Sequence, residues 1–156
     1  MSKMKISDKG LEIVKKSEGL RLKAYLDTKT GRVWTIGYGH TRGVKQGMTC
    51  TVEQAERWLK EDIVVAEKIV HTRVKVPLAQ GAFDALVSFA FNVGDPQFST
   101  STLLRLLNEG DYIGASGQFE RWIYDNGKKY DGLVTRREEE RQEFIFYPGF
   151  IHERNF

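Results

Sequence analysis

The sequence predicts a mainly helical α+β fold, with a small N-terminal lobe built on a β-hairpin, a long connecting helix and a helical C-terminal lobe. Three observations predict it. Residues 22–38 alternate in the strand manner around a polar turn. From Thr51 apolar residues recur at three- and four-residue steps. Residues 78–94 are apolar on nearly every side. At 156 residues, with 40% apolar and 29% charged, the chain is sized and composed for one soluble globular domain. Within it, about 1–50 form the α/β lobe, about 51–73 the connecting helix and about 74–156 the helical lobe.

Each element has its own signal. Residues 8–17 read as a helix, with Ser7 as N-cap, with Leu11, Ile13 and Val14 inward, and with Gly19 as the stop. Residues 22–27 and 32–38 read as strands, and "TKTG" between them supplies the turn of a β-hairpin. A glycine-rich connection, "GYGHTRGVKQG", follows. Thr51 with Gln54 forms a capping-box pattern. Ala55, Trp58, Leu59, Ile63, Ala66, Ile69 and Val70 then mark one face of a long helix, until Pro77 breaks the pattern. "LAQGAFDALVSFAFNVG" is a central buried helix, punctuated by Gly94 and Pro96. "TLLRLLNEG" makes a short helix and "DYIGASGQFERWI" a weaker one. Thr135 and Glu138 repeat the capping-box pattern and open the last helix, "RREEERQEFIF".

Composition excludes several functions. The single cysteine, Cys50, allows no intramolecular disulfide, and nothing near it in sequence activates it as a nucleophile, so it reads as a packed thiol. His40, His71 and His152 lie far apart and form no metal-spaced motif. The first twenty residues hold Lys3, Lys5, Lys9, Lys15 and Lys16 and lack an apolar run, which argues against a secretory signal. No stretch reaches about 18 apolar residues, so no membrane insertion is expected and the chain folds in the cytoplasm that makes it. Charge is unevenly placed. Residues 1–50 carry eleven Lys and Arg against four Asp and Glu. A basic segment suits an anionic partner, and it equally suits a solvated face. The aromatics follow helical core periods and build no stacking platform, which argues against a nucleic-acid partner.

Two acids stand out. Glu18 falls at the predicted C-terminal end of the first helix, where the negative end of the dipole and partial burial both disfavour an ionised carboxylate. Asp27 ends the first hairpin strand, and Thr35 lies on the returning one. A hairpin brings those two side chains close and aims both toward the helix end. One acid that holds its proton, one carboxylate that loses it, and a hydroxyl to hold water are the equipment of glycoside hydrolysis. On spacing alone, a surface Glu18 and a turn-forming Asp27 remain the alternative.

"SEGLRLKAYLD" and "TIGYGHT" resemble the catalytic lobe of the phage-type lysozymes, the muramidase endolysins. That family places a Glu, eight residues, an Asp, and then a Thr opening "TIGxGH". Glu18, Asp27 and Thr35 match those positions. The resemblance continues in "FNVG", in "FSTSTLLRLLN", in "RW" (121–122) and in "RR" (136–137), and so covers most of the chain. One departure is the seven residues between Asp27 and Thr35, two more than the family usually has, which a longer hairpin tip absorbs. The last eight residues or so match no motif.

The resemblance implies a lysozyme-like fold and hydrolysis of the β-1,4 bond between N-acetylmuramic acid and N-acetylglucosamine in bacterial peptidoglycan. Glu18 would protonate the glycosidic oxygen. Asp27 would stabilise charge at the anomeric carbon and, with Thr35, hold the attacking water, with inversion as the outcome. It implies a structural role for His40 and an arginine paired with Glu18, with Arg136 the choice and Arg137 the alternate. Substrate contacts carry over to Thr41, Phe91 and Ser101, although Phe91 equally reads as core. It further implies no metal or organic cofactor, a monomer, and dependence on a separate holin for access to the wall. A lytic transglycosylase needs one Glu and neither Asp27 nor Thr35, so the presence of both favours hydrolysis. A non-catalytic wall-binding module has no use for the two carboxylates.

Overall fold

The structure, a computed structural model, describes residues 3–27 and 32–146. Helix α1 (Asp8–Glu18) opens on Ser7, whose side chain accepts from Gly10 N–H, and closes at Gly19. Strands β1 (Arg21–Asp27) and β2 (Val33–Gly37) pair antiparallel, with Tyr25 opposite Thr35 and Asp27 opposite Val33. The expected "TKTG" turn lies outside the described residues. The glycine-rich connection does more than link. It returns along the free edge of β1, where Ala24 N–H donates to Met48 O and Cys50 N–H to Leu22 O, each at 2.9 Å. Cys50 is half-buried there, and burial pushes its thiol up.

Helix α2 (Val52–Arg73) begins with the Thr51–Gln54 capping box, both bonds present. It ends at Val74, three residues before Pro77. Helix α3 (Gln80–Val93) is buried continuously from Ala82 to Ala90. Two polar residues interrupt its apolar run, and each has a partner. Asp84 accepts from Ser7 N–H at 2.9 Å, from the Ser7 hydroxyl and from Gln80 at 2.8 Å, which ties the start of α1 to α3. Ser88 turns toward the last helix. Apolar side chains of α2, α3 and the later helices form the core around Phe89, whose ring meets Phe119 and Trp122 edge-on at 5.5 and 5.4 Å. Edge-to-face aromatic pairs of this kind add about 0.5–1.5 kcal/mol each beyond area burial.

The C-terminal third departs from expectation in three places. Gly94 leads into a short helix, α4 (Asp95–Ser99), with Pro96 in its first turn, before α5 (Thr102–Asn108). The weak helix divides into α6 (Tyr112–Ser116) and a 3-10 turn at Phe119–Arg121, followed by a small hairpin, β3 (Tyr124–Asp125) and β4 (Lys128–Lys129). The last helix, α7 (Asp131–Ile145), starts four residues before Thr135, so the Thr135–Glu138 pattern is no capping box. Tyr130 N–H closes the small hairpin on Ile123 O, and half-buried Leu133 and Val134 carry the helix back to Asp131. Arg136 and Arg137 therefore stand in the second turn of α7, where both are buried.

Candidate active site

Glu18 owes its position to the way α1 stops. Gly19 adopts φ 70°, and its N–H closes the last turn on Lys15 O. The Glu18 side chain is left 19% exposed, against α7 and the turn after β2. That turn is made by Gly39 at φ 76°, where an added Cβ would sit 3.0 Å from Glu18 Oε1. Only glycine gives both this backbone conformation and this approach. From α7, Arg136 Nη1 lies 3.5 Å from Glu18 Oε2.

Arg136 is held from behind. Its Nε donates to Glu140 Oε2 at 3.3 Å, and its Nη2 donates to Ser88 O at 3.1 Å. The Ser88 hydroxyl donates to the same Glu140 oxygen at 2.6 Å. Arg137 Nη1 lies 3.0 Å from the other Glu140 oxygen, and its guanidinium stands 5.0 Å from the centroid of Phe89. Its Nη2 also donates to Asn92 Oδ1. Burial pulls the Arg137 guanidinium down to about 10; Glu140 opposes that pull and Arg136 adds to it. Of the two arginines, Arg136 makes the ion pair with Glu18, while Arg137 is coupled to it only through the field.

The other half of the site comes from the hairpin. Side chains alternate along a strand and cross-strand partners share a face. Tyr25, Asp27, Val33 and Thr35 therefore share one face by register. Thr35 is 3% exposed, and its hydroxyl donates to Val33 O at 3.1 Å. Tyr25 is the group sequence reasoning missed. Burial first, then Asp27 and Glu18, push its phenol above the ordinary tyrosine value, while Arg21, 4.4 Å from its ring centroid, pulls back. Both carboxylates thus bear on one phenol. Its signal was available, since Tyr25 is two residues from Asp27 and strand alternation puts it on the same face.

The remaining expected residues occupy different roles. His40 is buried, stacks on Trp58 at 4.7 Å, and pairs its Nδ1 with Asp62 Oδ2 at 2.8 Å. Its backbone exchanges two bonds with Ile36, so it fastens the Gly39 turn to α2. Thr41 follows it and is exposed. Phe91 is half-buried and packs on the core. Ser101 caps α5: its hydroxyl donates to Phe98 O at 2.7 Å and accepts from Leu104 N–H at 3.1 Å. That hydroxyl is used by the fold, and the residue is 6% exposed. Among the described residues no group of three or more His, Cys, Asp or Glu is arranged to hold a metal ion. No helix among them is long and apolar enough to cross a membrane.

Comparison with known proteins identifies the family. Residues 15–140 match the model of the family described as phage lysozyme. An endolysin of Acyrthosiphon pisum secondary endosymbiont phage 1 is 49% identical over 145 residues, covering 90% of this chain and 98% of the relative. The endolysin of Salmonella phage P22 is 42% identical over 147 residues, covering 91% and 99%. The chain spans only 55% of the length of a further relative, the endolysin of Bacillus phage PZA, at 44% identity. Among solved structures, the muramidase domain of SpmX from Asticaccaulis excentricus superposes with a TM-score of 0.85 at 38% identity, covering 93% of this chain and all of that one. A P22 lysozyme variant superposes at 0.77 with 41% identity, covering 92% and 99%. The family match spans the whole of the site built above, from the last turns of α1 to Glu140; the chain belongs to the phage lysozyme family and is a glycoside hydrolase of the muramidase kind.

Proposed function

We propose that this chain hydrolyses the β-1,4 bond between N-acetylmuramic acid and N-acetylglucosamine in bacterial peptidoglycan, with Glu18 as general acid and Asp27 and Thr35 holding the attacking water. The observation that carries the reading is the placing of Glu18 at the end of α1, ion-paired with buried Arg136 and packed against the turn after β2, the strand whose register with β1 puts Asp27 and Thr35 on one face. Glu18 delivers its proton to the glycosidic oxygen as the bond to the anomeric carbon breaks. Asp27 faces the developing oxocarbenium ion and accepts a proton from water. Thr35 gives its own hydrogen to Val33 O, so toward water its oxygen acts as an acceptor. A water donating one hydrogen to Asp27 and the other to Thr35 keeps a lone pair for the anomeric carbon. Attack from that side inverts the anomeric configuration.

The experiment is digestion of a short soluble peptidoglycan glycan, with the product anomer read by NMR. A new reducing end formed as the inverted anomer supports the assignment. Retention removes the water-holding role of Asp27 and Thr35, and an anhydro-sugar end makes the enzyme a transglycosylase. The reading includes a monomer that reaches the wall through a separate holin. Cells expressing the chain alone then stay intact until chloroform breaches the membrane, and prompt lysis from within overturns that route.

A further inference from the structure

We infer that Glu140 is a positioning residue that balances the buried charge behind Glu18 and so lets Glu18 keep the proton it delivers; the inference rests on Glu18 being the general acid. Glu140 has no exposed surface, and Arg136 and Arg137 are 3% and 1% exposed. Three charged side chains on consecutive turns of one helix are thus removed from water together. One Glu140 oxygen takes Arg136 Nε and the Ser88 hydroxyl, and the other faces Arg137 Nη1. Glu18 lies at the open end of this row, 3.5 Å from Arg136.

The chemistry explains why the third charge is needed. A general acid must carry its proton when substrate arrives. An adjacent cation favours the anion, and low-dielectric surroundings strengthen that effect. Arg136 and Arg137 together would place two such cations behind Glu18. The Glu140 carboxylate cancels one of them at the point where both guanidiniums meet. On β1, Asp27 and Arg21 are of opposite sign, and both act on the Tyr25 phenol. On α1 itself, Lys15 is taken by Glu56 of α2 and Lys16 by Glu139 of α7. On α3, the neighbours of the row are the neutral Ser88 and Asn92. Apart from Glu18 itself, Glu140 is therefore the only carboxylate paired with the two buried arginines among the described ion pairs.

The test is the pH dependence of cleavage of a short soluble glycan at fixed ionic strength, with a thermal melt of each variant. Glu140→Gln removes the charge and keeps the shape. Its alkaline limb is expected to move toward acid by about one pH unit or more. Ser88→Ala removes a hydrogen bond to Glu140 and keeps every charge, so its limb is expected to stay in place. The double variant Glu140→Met with Arg137→Met removes one charge of each sign and is expected to bring the limb back. If Glu140→Gln fails to fold, Arg137→Met alone carries the test: it removes one buried cation and is expected to move the limb toward alkali, and an unmoved limb there overturns the inference. A folded Glu140→Gln with an unmoved limb overturns the inference, as does an equal displacement in Ser88→Ala or in the double variant. Glu18→Gln is run beside them. If it is inactive at every pH while the Glu140→Gln limb is unmoved, the acid assignment stands and the charge-balance inference alone falls. If it keeps activity within about tenfold of wild type, the acid assignment itself falls.

Discussion

The two halves of the site are built on opposite plans. On the helical side, Glu18 is backed by Arg136, Glu140, Ser88 and Arg137, a row of polar groups buried between α3 and α7, in which Arg136, Glu140 and Ser88 are joined by hydrogen bonds of 2.6–3.3 Å and Arg137 is ion-paired with Glu140 at 3.0 Å. On the hairpin side, Asp27 and Thr35 stand on a two-stranded sheet whose outer residues, Arg21 to Lys23 and Val33, are exposed. The helical half is embedded in the fold, so its chemistry and its stability are coupled. The hairpin half is applied to the fold, so its chemistry is separable from stability. That difference suits the reaction. The acid needs a protonation state set by fixed charges, whereas the water-holding side needs room for solvent and sugar.

The sharpest test of the embedded half is Glu18→Gln. Gln keeps the shape and cannot deliver a proton. Wall lysis is expected to fall by about 100- to 10,000-fold, the range general acid catalysis supplies. The melting temperature should stay within a few degrees of wild type, and the variant should still bind peptidoglycan. A turbidity assay on cell walls and a binding assay read both.

Asp27→Ala comes next and tests the applied half. It removes the charge facing the oxocarbenium ion and the group that orients water, so activity is expected to drop nearly as far, with an unchanged melt. If the variant stays fully active while Glu18→Gln does not, the one-carboxylate transglycosylase mechanism replaces hydrolysis.

Arg136→Met is the discriminating case, because it should cost activity and stability together. Removing one partner leaves Glu140 buried with Arg137 alone. Breaking a buried ion pair from one side typically costs about 3–5 kcal/mol. Urea denaturation measures that cost, and turbidity measures the loss of the Glu18 partner. A variant that loses activity with no change in stability would show that the two halves are not built differently after all.

How much of this was legible follows the same divide. Ser7, the Thr51–Gln54 box and Gly19 announced α1 and α2, because caps act within a few residues and leave local signatures. Strand pairing put Asp27 and Thr35 together, and the same parity, carried two residues back, leads to the missed Tyr25. The buried row of α7 was not legible. Its inward positions are Arg136, Arg137, Glu140, Glu143 and Phe144, a helical stripe made mostly of charges. Hydrophobic periodicity cannot see such a face, and "RREEE" reads as solvated until α3 is packed over it. The small hairpin was a different failure. Asn126 and Gly127 both have positive φ, 49° and 76°, as a tight two-residue turn requires. "DNGK" carried that signal in plain view.

The last and smallest effect compares two buried hydroxyls that the sequence offered as site groups. Thr35 is 3% exposed and Ser101 6%, so burial does not separate them. Their bonds do. Thr35 donates once, to Val33 O, and keeps acceptor capacity on the face it shares with Asp27. Ser101 donates to Phe98 O and accepts from Leu104 N–H, so the start of α5 uses it in both senses. Thr35→Ala should lower turnover of a soluble glycan, by about tenfold if its share resembles that of one weak transition-state contact, with little change in the melt. Ser101→Ala should do the reverse. Loss of an N-cap costs about 1 kcal/mol, and turnover should remain at the wild-type value. Urea midpoints and initial rates on the same two variants decide between these patterns. A Ser101→Ala enzyme with lowered turnover and an unchanged midpoint would keep Ser101 on the substrate-binding surface and extend the site to the start of α5.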